Sequence, residues 1–427
     1  MQMNIEWKIL MNNFKIPKIR FMNFNDKWNY KTLDEISNSI EYGLNASAKN
    51  FDGIHKYLRI TDIDDSSRLF LTDKLSSPDV NFTEEDYENY KLQKNNLLFA
   101  RTGASVGKTY LYRESDGEVY YAGFLIRARL HDSYDGNFVF QQTLTDKYKR
   151  FIEITSQRSG QPGVNGKEYG EWKIGMTSYP EQSAIGSLFR TLDDLLTSYK
   201  DNLANYQSLK STMLSKMFPK AGKTVPEIRL DGFEGEWENL RLGDCAIIKG
   251  RLGWKSLKQE EYTEVGPSMI AGKHIKNGVI DWGEVDHIPQ WRYDESPEIM
   301  LENGDIIFSK DGSLGNPALV SNLKGETTIN STMMLVRLDK KVSSQFFYQV
   351  LTSSVFQKLI YLKVSGSSIP HLFQADMQDF RFFAPCIEEQ QAIGSYFSNL
   401  DNLINSYQEK IFQLETLKKK LLQDMFI

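Results

Sequence analysis

Residues 184–217 read AIGSLFRTLDDLLTSYKDNLANYQSLKSTMLSKM, and residues 392–425 read AIGSYFSNLDNLINSYQEKIFQLETLKKKLLQDM. The two stretches are one pattern written twice, 208 residues apart. Ile185, Phe189, Leu192, Leu195, Tyr199, Leu203, Tyr206, Leu209, Met213 and Met217 fall over Ile393, Phe397, Leu400, Leu403, Tyr407, Ile411, Leu414, Leu417, Leu421 and Met425. Every pair is apolar, and the steps of three and four residues match. Such a stripe marks a helix face close to a coiled-coil seam, on a helix whose other faces are too polar for a core position. Two seams of equal length in one chain most simply bury each other as an antiparallel pair. The first helix is introduced by Pro180 and Glu181, which suit a helix start, and is stopped at Phe218-Pro219.

The repeat extends outward from the helices. Pro17, Ile19, Arg20, Phe24, Trp28 and Leu33 recur 209 residues later as Pro226, Ile228, Arg229, Phe233, Trp237 and Leu242. The strand pattern 96–100 matches 305–309, and 124–130 matches 332–338. The offset drops by one between these strands, where Gly103-Ala-Ser-Val-Gly107 faces the shorter Gly312-Ser-Leu-Gly315. Loops are where such a change is absorbed. Each half therefore reads as short strands with glycine-rich turns, a helix (137–154 and 344–362), an irregular Ser/Gly segment, and a long helix. The expected fold class is α+β: two tandem-duplicated modules separated by two long helices forming an antiparallel coiled coil. The expected boundaries are 1–179 for the first module, 180–218 for the first long helix, 219–386 for the second module and 387–427 for the second helix. Between 181–199 and 389–407, 12 of 19 positions are identical, whereas loops such as 64–84 have no counterpart in 277–298. One scaffold with divergent loops suits two binding heads for different targets, although drift after duplication predicts the same pattern.

Composition sets limits. With 427 residues the chain holds two domains or more, and 40% hydrophobic with 25% charged residues is ordinary for globular proteins. A net charge of −5 means that any nucleic-acid surface is local. Cys245 and Cys386 alone make no disulfide framework and fit a reducing cytosol. Glu6, Lys8 and Lys15 interrupt the first residues, so no signal peptide is expected, and no apolar run of membrane-spanning length occurs. The expectation is a cytoplasmic protein.

Chemistry of its own is not indicated. Arg101-Thr-Gly-Ala-Ser-Val-Gly-Lys108-Thr109 ends like a phosphate-cradling Walker loop, but Thr102 stands where the first glycine belongs. A glycine-rich turn that brings Arg101 and Lys108 to a DNA backbone fits better, with a plain tight turn as the bland alternative. The five histidines lack metal-ligand spacing, so no metal or cofactor is expected. Pro78-Asp79 and Glu171-Trp-Lys173 offer nuclease-like parts far apart in the chain, and no methyltransferase-type Asn-Pro-Pro-aromatic element occurs. Basic residues with interleaved aromatics do recur in both halves, at 90–94, 101–108 and 249–258. Polar, glycine-rich segments precede both long helices, at 159–165 and 365–370. Such segments can follow a groove, with Lys and Arg on phosphates and polar side chains on base edges.

These residues resemble the specificity subunits of type I restriction-modification systems. The likeness rests on the Pro-x-Ile-Arg…Phe…Trp segments at 17–28 and 226–237 and on the turns around 99–107 and 308–315. It rests also on the Glu-Gln-x-Ala-Ile-Gly helix openings at 181–186 and 389–394 and on the Met-Phe endings at 213–218 and 421–426. The order of parts matches over essentially the whole chain. The resemblance implies two target recognition domains reading an asymmetric, bipartite double-stranded DNA sequence. It implies a non-catalytic chain that docks two methyltransferase subunits and the restriction-translocase subunits, and directs their adenine-N6 methylation and cleavage. About 38 residues per helix would set the half-sites apart by ~55 Å, or about one to one and a half turns of B-DNA. Candidate base or groove contacts are Arg101, Ser105, Lys108, Gln161 and Asn165 in the first module. In the second they are Lys273, Lys310, Ser313, Asn316, Ser367 and Ser368. Lys91, Lys94, Lys249, Arg251 and Lys255 are candidate phosphate contacts.

Overall fold

A computed structural model describes residues 16–157, 160–220, 222–252, 257–312, 314–365 and 370–427. Residues 1–15, Ser313, Ser367, Ser368 and Lys255 lie outside the described residues. The chain divides into two units, each mixing helix and sheet: Met1–Asp201 with Gln408–Ile427, and Asn202–Tyr407.

In the first unit the strands are β1 (Asn29–Thr32), β2 (Ser37–Tyr42), β3 (Ala48–Asn50), β4 (Lys56–Leu58), β5 (Ser76–Pro78), β6 (Asn96–Ala100), β7 (Thr109–Leu111), β8 (Val119–Tyr121), β9 (Leu125–Leu130) and β10 (Lys173–Met176). Its helices are α1 (Gly136–Gln142), α2 (Asp146–Thr155), α3 (Gly166–Gly170) and the start of α4 (Tyr179–Lys216). The central sheet is antiparallel in the order β2-β9-β6-β7. β6 is buried on both faces because Asn96–Ala100 is an unbroken apolar run after its first residue.

The second unit contains β11 (Glu238–Arg241), β12 (Ala246–Lys249), β13 (Thr263–Ile270), β14 (Ile275–Lys276), β15 (Val279–Ile280), β16 (Asp286–His287), β17 (Ile306–Ser309), β18 (Gly315–Leu319), β19 (Thr327–Ile329), β20 (Met333–Leu338) and β21 (Arg381–Ala384). Its helices are α5 (Gln290–Asp294), α6 (Ser344–Thr352), α7 (Ser354–Ser365), α8 (Gln374–Gln378) and the start of α9 (Ile387–Asp424). Its central sheet is again antiparallel and four-stranded, in the order β12-β20-β17-β18.

The helix-opening signature has a physical reason in each unit. Glu181 is fully buried and takes Arg20 on both oxygens, at 2.6 and 2.7 Å. Gln182 accepts from the Asp135 N–H (3.1 Å) and donates to the Thr177 carbonyl (2.7 Å). Gly186 admits the start of α1, since a Cβ there would stand 2.4 Å from Asp135 Oδ1. In the second unit Glu389 takes Arg229 at 2.8 and 2.7 Å, and Gln390 accepts from the Ser343 N–H at 3.0 Å. A Cβ on Gly394 would meet the Gln345 side chain at 2.8 Å.

The Met-Phe endings are core plugs. Leu421, Met425 and Phe426 lie in the first unit's core with Trp28, Phe138 and Phe189, the Phe426 ring stacking on Phe189 at 5.7 Å. Met217 and Phe218 lie in the second unit's core, where Phe218 stacks on Phe346 at 5.5 Å.

The helix seam follows a different phase from the one expected. Leu195 is 41% exposed, while its neighbour Leu196 is buried. Leu403 is half-buried, whereas Ile404 is buried. Placing Leu196 and Ile404 in the seam turns the steps into a strict four-three alternation, as a heptad requires. Ile185, Phe189, Leu192, Ile393, Phe397, Leu400 and Ile411 are buried in that register, and Tyr199, Leu203 and Tyr407 are half-buried. The same alternation reaches Lys210 and Lys418 rather than Leu209 and Leu417, which are exposed. Lys418 pairs with Asp193 in the first unit, and Lys210 pairs with Asp401 in the second. Each aspartate is also held by a glutamine, Gln141 Nε2 at 2.9 Å and Gln349 Nε2 at 3.0 Å. Within each unit the helix segments run in opposite directions: Asp193 and Lys200 of α4 face Lys418 and Glu415 of α9.

Candidate nucleic-acid interface

In the first unit Arg101, Ser105, Gln161 and Asn165 gather at the end of the central sheet where β6 finishes, whereas Lys91 and Lys94 precede β6 at its other end. The turn after β6 is closed by Ala100 N–H to Lys108 O (2.8 Å) and Gly107 N–H to Ala100 O (3.0 Å). Two buried tyrosines brace it: Tyr169 Oη donates to Ala100 O (2.7 Å), and Tyr148 Oη donates to Gly107 O (3.1 Å). Gly107 sits at φ +82°, and a Cβ there would press on Ile152 at 2.8 Å, so glycine is required twice over.

This geometry is not a phosphate cradle. The N–H groups of Gly103, Val106, Gly107 and Lys108 are already bound to protein carbonyls. Lys108, expected to face DNA, is instead buried, donating to Ile63 O at 2.9 Å and pairing with Asp65. It anchors the 64–69 loop to the turn.

The polar segment before α3 lies along this turn. Gly103 N–H donates to Pro162 O (3.0 Å) and Val164 N–H to Arg101 O (2.9 Å). These bonds bring Gln161, which is exposed, beside Ser105 and Arg101, which are partly exposed. Asn165 accepts from the Glu168 N–H (3.0 Å), capping α3. Two residues that the sequence did not single out complete the group. Tyr42, at the end of β2, and Phe124, between β8 and β9, flank Arg101, whose guanidinium carbon lies 5.3 Å from one ring centre and 5.5 Å from the other. Lys94 is exposed, and Lys91 is paired with Glu118 at 2.8 Å.

The second unit carries the corresponding arrangement with other side chains. Leu372 N–H donates to Lys310 O (2.9 Å), as Val164 does to Arg101, and Lys310 N–H donates to Thr332 O (2.9 Å), as Arg101 does to Phe124. Lys310 Nζ lies 2.9 Å from Asp311, whose other oxygen meets the His371 ring. Burial pushes the Asp311 carboxyl up, but Lys310 and His371 outweigh it and hold it below its usual range. Asn316 adopts φ +51° and donates to Ile275 O at 3.2 Å, a turn-stabilising role. Arg251, expected on a phosphate, is buried and donates to Ile329 O and Ser296 Oγ, both at 3.3 Å. Burial pulls its pKa down. Lys273 is exposed beside Asp286 at 3.0 Å, and Lys249 is exposed on β12.

Among the described residues no cluster of His, Cys, Asp and Glu is built to hold a metal, and no helix is long and apolar enough to cross a membrane.

Comparison with known proteins gives a consistent answer. Residues 234–416 match the family model described as the type I restriction modification DNA specificity domain. The chain is 21% identical over 382 residues to the type I restriction enzyme MjaVIII specificity subunit of Methanocaldococcus jannaschii, covering 88% of this chain and 85% of that one. It is 23% identical over 418 residues to the putative MjaX specificity subunit of the same organism, covering 96% and 95%. In fold it is similar to the crystal structure of a type I restriction-modification S subunit from M. genitalium, with a TM-score of 0.69 at 17% identity, over 96% of this chain and 99% of that one.

Proposed function

We propose, on the premise that this chain is a specificity subunit of the type I restriction-modification family, that its two units are target recognition domains for the two unlike halves of one DNA sequence. The observation that carries this reading is the recurrence of one loop arrangement at the ends of two like sheets with different side chains. Arg101, Phe124 and Gly163 occupy it in one unit, Lys310, Thr332 and His371 in the other. Equal scaffolds with unequal readers suit an asymmetric target, because a palindrome needs equal readers. Exposed Lys94 and Lys249 supply phosphate contacts and Lys273 a base or groove contact, while Lys108 and Arg251 act inside the fold.

The units are the products of a tandem duplication. The four-three seam and its two lysine–aspartate pairs support an antiparallel coiled coil of α4 with α9. The chain works in the cytoplasm without chemistry of its own. Methyltransferase and restriction-translocase subunits assembled on it carry out adenine-N6 methylation and cleavage.

The test is an adenine-methylation map of the host genome with and without this gene. Loss of one bipartite, asymmetric motif is the expected result. An unchanged map, in a strain whose partner methyltransferase is demonstrably active, removes the reading.

A further inference from the structure

We infer that Arg101 reads a guanine in the half-site of the first unit, and that Tyr42 and Phe124 are the positioning residues that hold its fork for the purpose. This inference rests on the DNA-reading function proposed above.

Five of the unit's other arginines answer a carboxylate: Arg20 with Glu181, Arg59 with Asp62, Arg113 with Asp116, and Arg127 and Arg129 with Glu41. Arg101 lies over two rings instead, with no ion pair to any described residue, and its Nε is buried without a hydrogen-bond partner. Both ring distances, 5.3 and 5.5 Å, fall within cation–π range. The main chain of Arg101 is fixed on both sides, by its N–H on Phe124 O (3.1 Å) and its carbonyl on Val164 N–H (2.9 Å).

A guanidinium so held has little rotational freedom left to lose, and its terminal N–H groups have no hydrogen-bond partner among the described residues. A mobile, solvated lysine such as exposed Lys94 serves a phosphate, where a point charge suffices. A pre-oriented planar fork suits a pair of acceptors at fixed spacing, which in the major groove are the O6 and N7 atoms of guanine. Phe124 is 59% exposed and Tyr42 44% exposed. Their apolar faces beside the fork displace water from a base edge, an environment that favours a base contact over a solvated phosphate. Among the described residues the corresponding place in the second unit has no such device, since Lys310 is tied to Asp311 and Thr332 stands in the place of Phe124. The effect is therefore confined to one half-site.

The experiment is to map adenine methylation in otherwise identical strains carrying the wild-type chain, Arg101→Gln, Arg101→Lys or Phe124→Ala. With Arg101→Gln, one G·C position in one half-site becomes degenerate, losing on the order of 5- to 150-fold of its preference, while the other half-site stays strict. Arg101→Lys relaxes the same position, and Phe124→Ala relaxes it partly. Uniformly lower methylation of an unaltered motif would make Arg101 a phosphate contact and overturn the inference, as would relaxation at an A·T position. If Arg101→Gln abolishes all methylation, Arg101→Lys decides: a relaxed motif supports guanine reading and a strict one overturns it. A wild-type map with no motif dependent on this gene removes the DNA-reading function itself, a failure distinct from these.

Discussion

The two copies of the arginine–glutamate joint form a built-in comparison. Arg20 is 2% exposed and Glu181 fully buried, and among the described residues the guanidinium has no further acceptor. Arg229 is 16% exposed opposite an equally buried Glu389, and it also donates to the carbonyls of Gly235 (2.6 Å) and Glu234 (2.8 Å). Replacing Glu181 by Gln leaves a buried charge facing a neutral amide, at a cost of about 3 kcal/mol, the low end for breaking a buried pair because the amide oxygen still accepts. Glu389→Gln leaves Arg229 with its two carbonyls and some water, at a cost of about 1–2 kcal/mol. Hydrogen exchange followed by mass spectrometry reads the two units separately. In the regime where opening is at equilibrium, Glu181→Gln should speed core amides such as those of β6 roughly 100-fold or more, and Glu389→Gln should speed those of β17 by roughly 5- to 30-fold. Equal accelerations, or a larger one for Glu389→Gln, would refute the argument that the extra carbonyls share the Arg229 charge.

Further outcomes follow from the seam and from single groups. Asp193→Ala strands Lys418 at a heptad position and should cost about 1–2 kcal/mol in denaturant unfolding. Adding Lys418→Leu, which fills that position with an apolar side chain, should recover the loss; a double variant no better than Asp193→Ala would contradict the corrected seam. The backbone N–H of Ser67 and its companions in the 64–67 turn hold the Asp64 carboxyl well below its usual range. A carboxylate depressed in this way contributes stability above about pH 3.9, its unfolded value, which is lost as pH falls through its lower folded value. Amide protection at Ser66 and Ser67, corrected for intrinsic exchange, should hold from pH 7 to about 4 and fall below that; a loss near neutrality would count against it. Burial pushes the Cys245 thiol up to about 11 while Cys386 is exposed, so a thiol reagent at pH 8 should label Cys386 quickly and Cys245 only on unfolding.

What could be read from the chain was periodic; what could not was direction. The helices and the paired strands announced themselves by spacing, and the repeat located the loops that come together. The sequence leaves the seam phase open because Leu195-Leu196 and Leu403-Ile404 each offer two adjacent apolar residues, and a pattern of threes and fours accepts either. The true register also hides two lysines inside the stripe, where an apolar template skips over them. Lys108 and Arg251 read as surface charges in the sequence because composition does not say which way a long cationic side chain turns. Phe124 read as the first residue of a strand, whereas Gly123 ahead of it makes it the tip of a turn. Ser313, Ser367, Ser368 and Lys255 lie outside the described residues.

The Glu-Gln-x-Ala-Ile-Gly joint separates two kinds of selection. It asks of a module only one arginine near its beginning, a free N–H ahead of its first packed helix, and room for a glycine-sized approach. None of these demands reaches the loops at the far end of the sheet. A module with a wholly different set of readers can therefore be fitted to the same coupling without renegotiating its fit. Vocabulary can change at the pace of point mutations and exchanges while the grammar that seats it stays fixed.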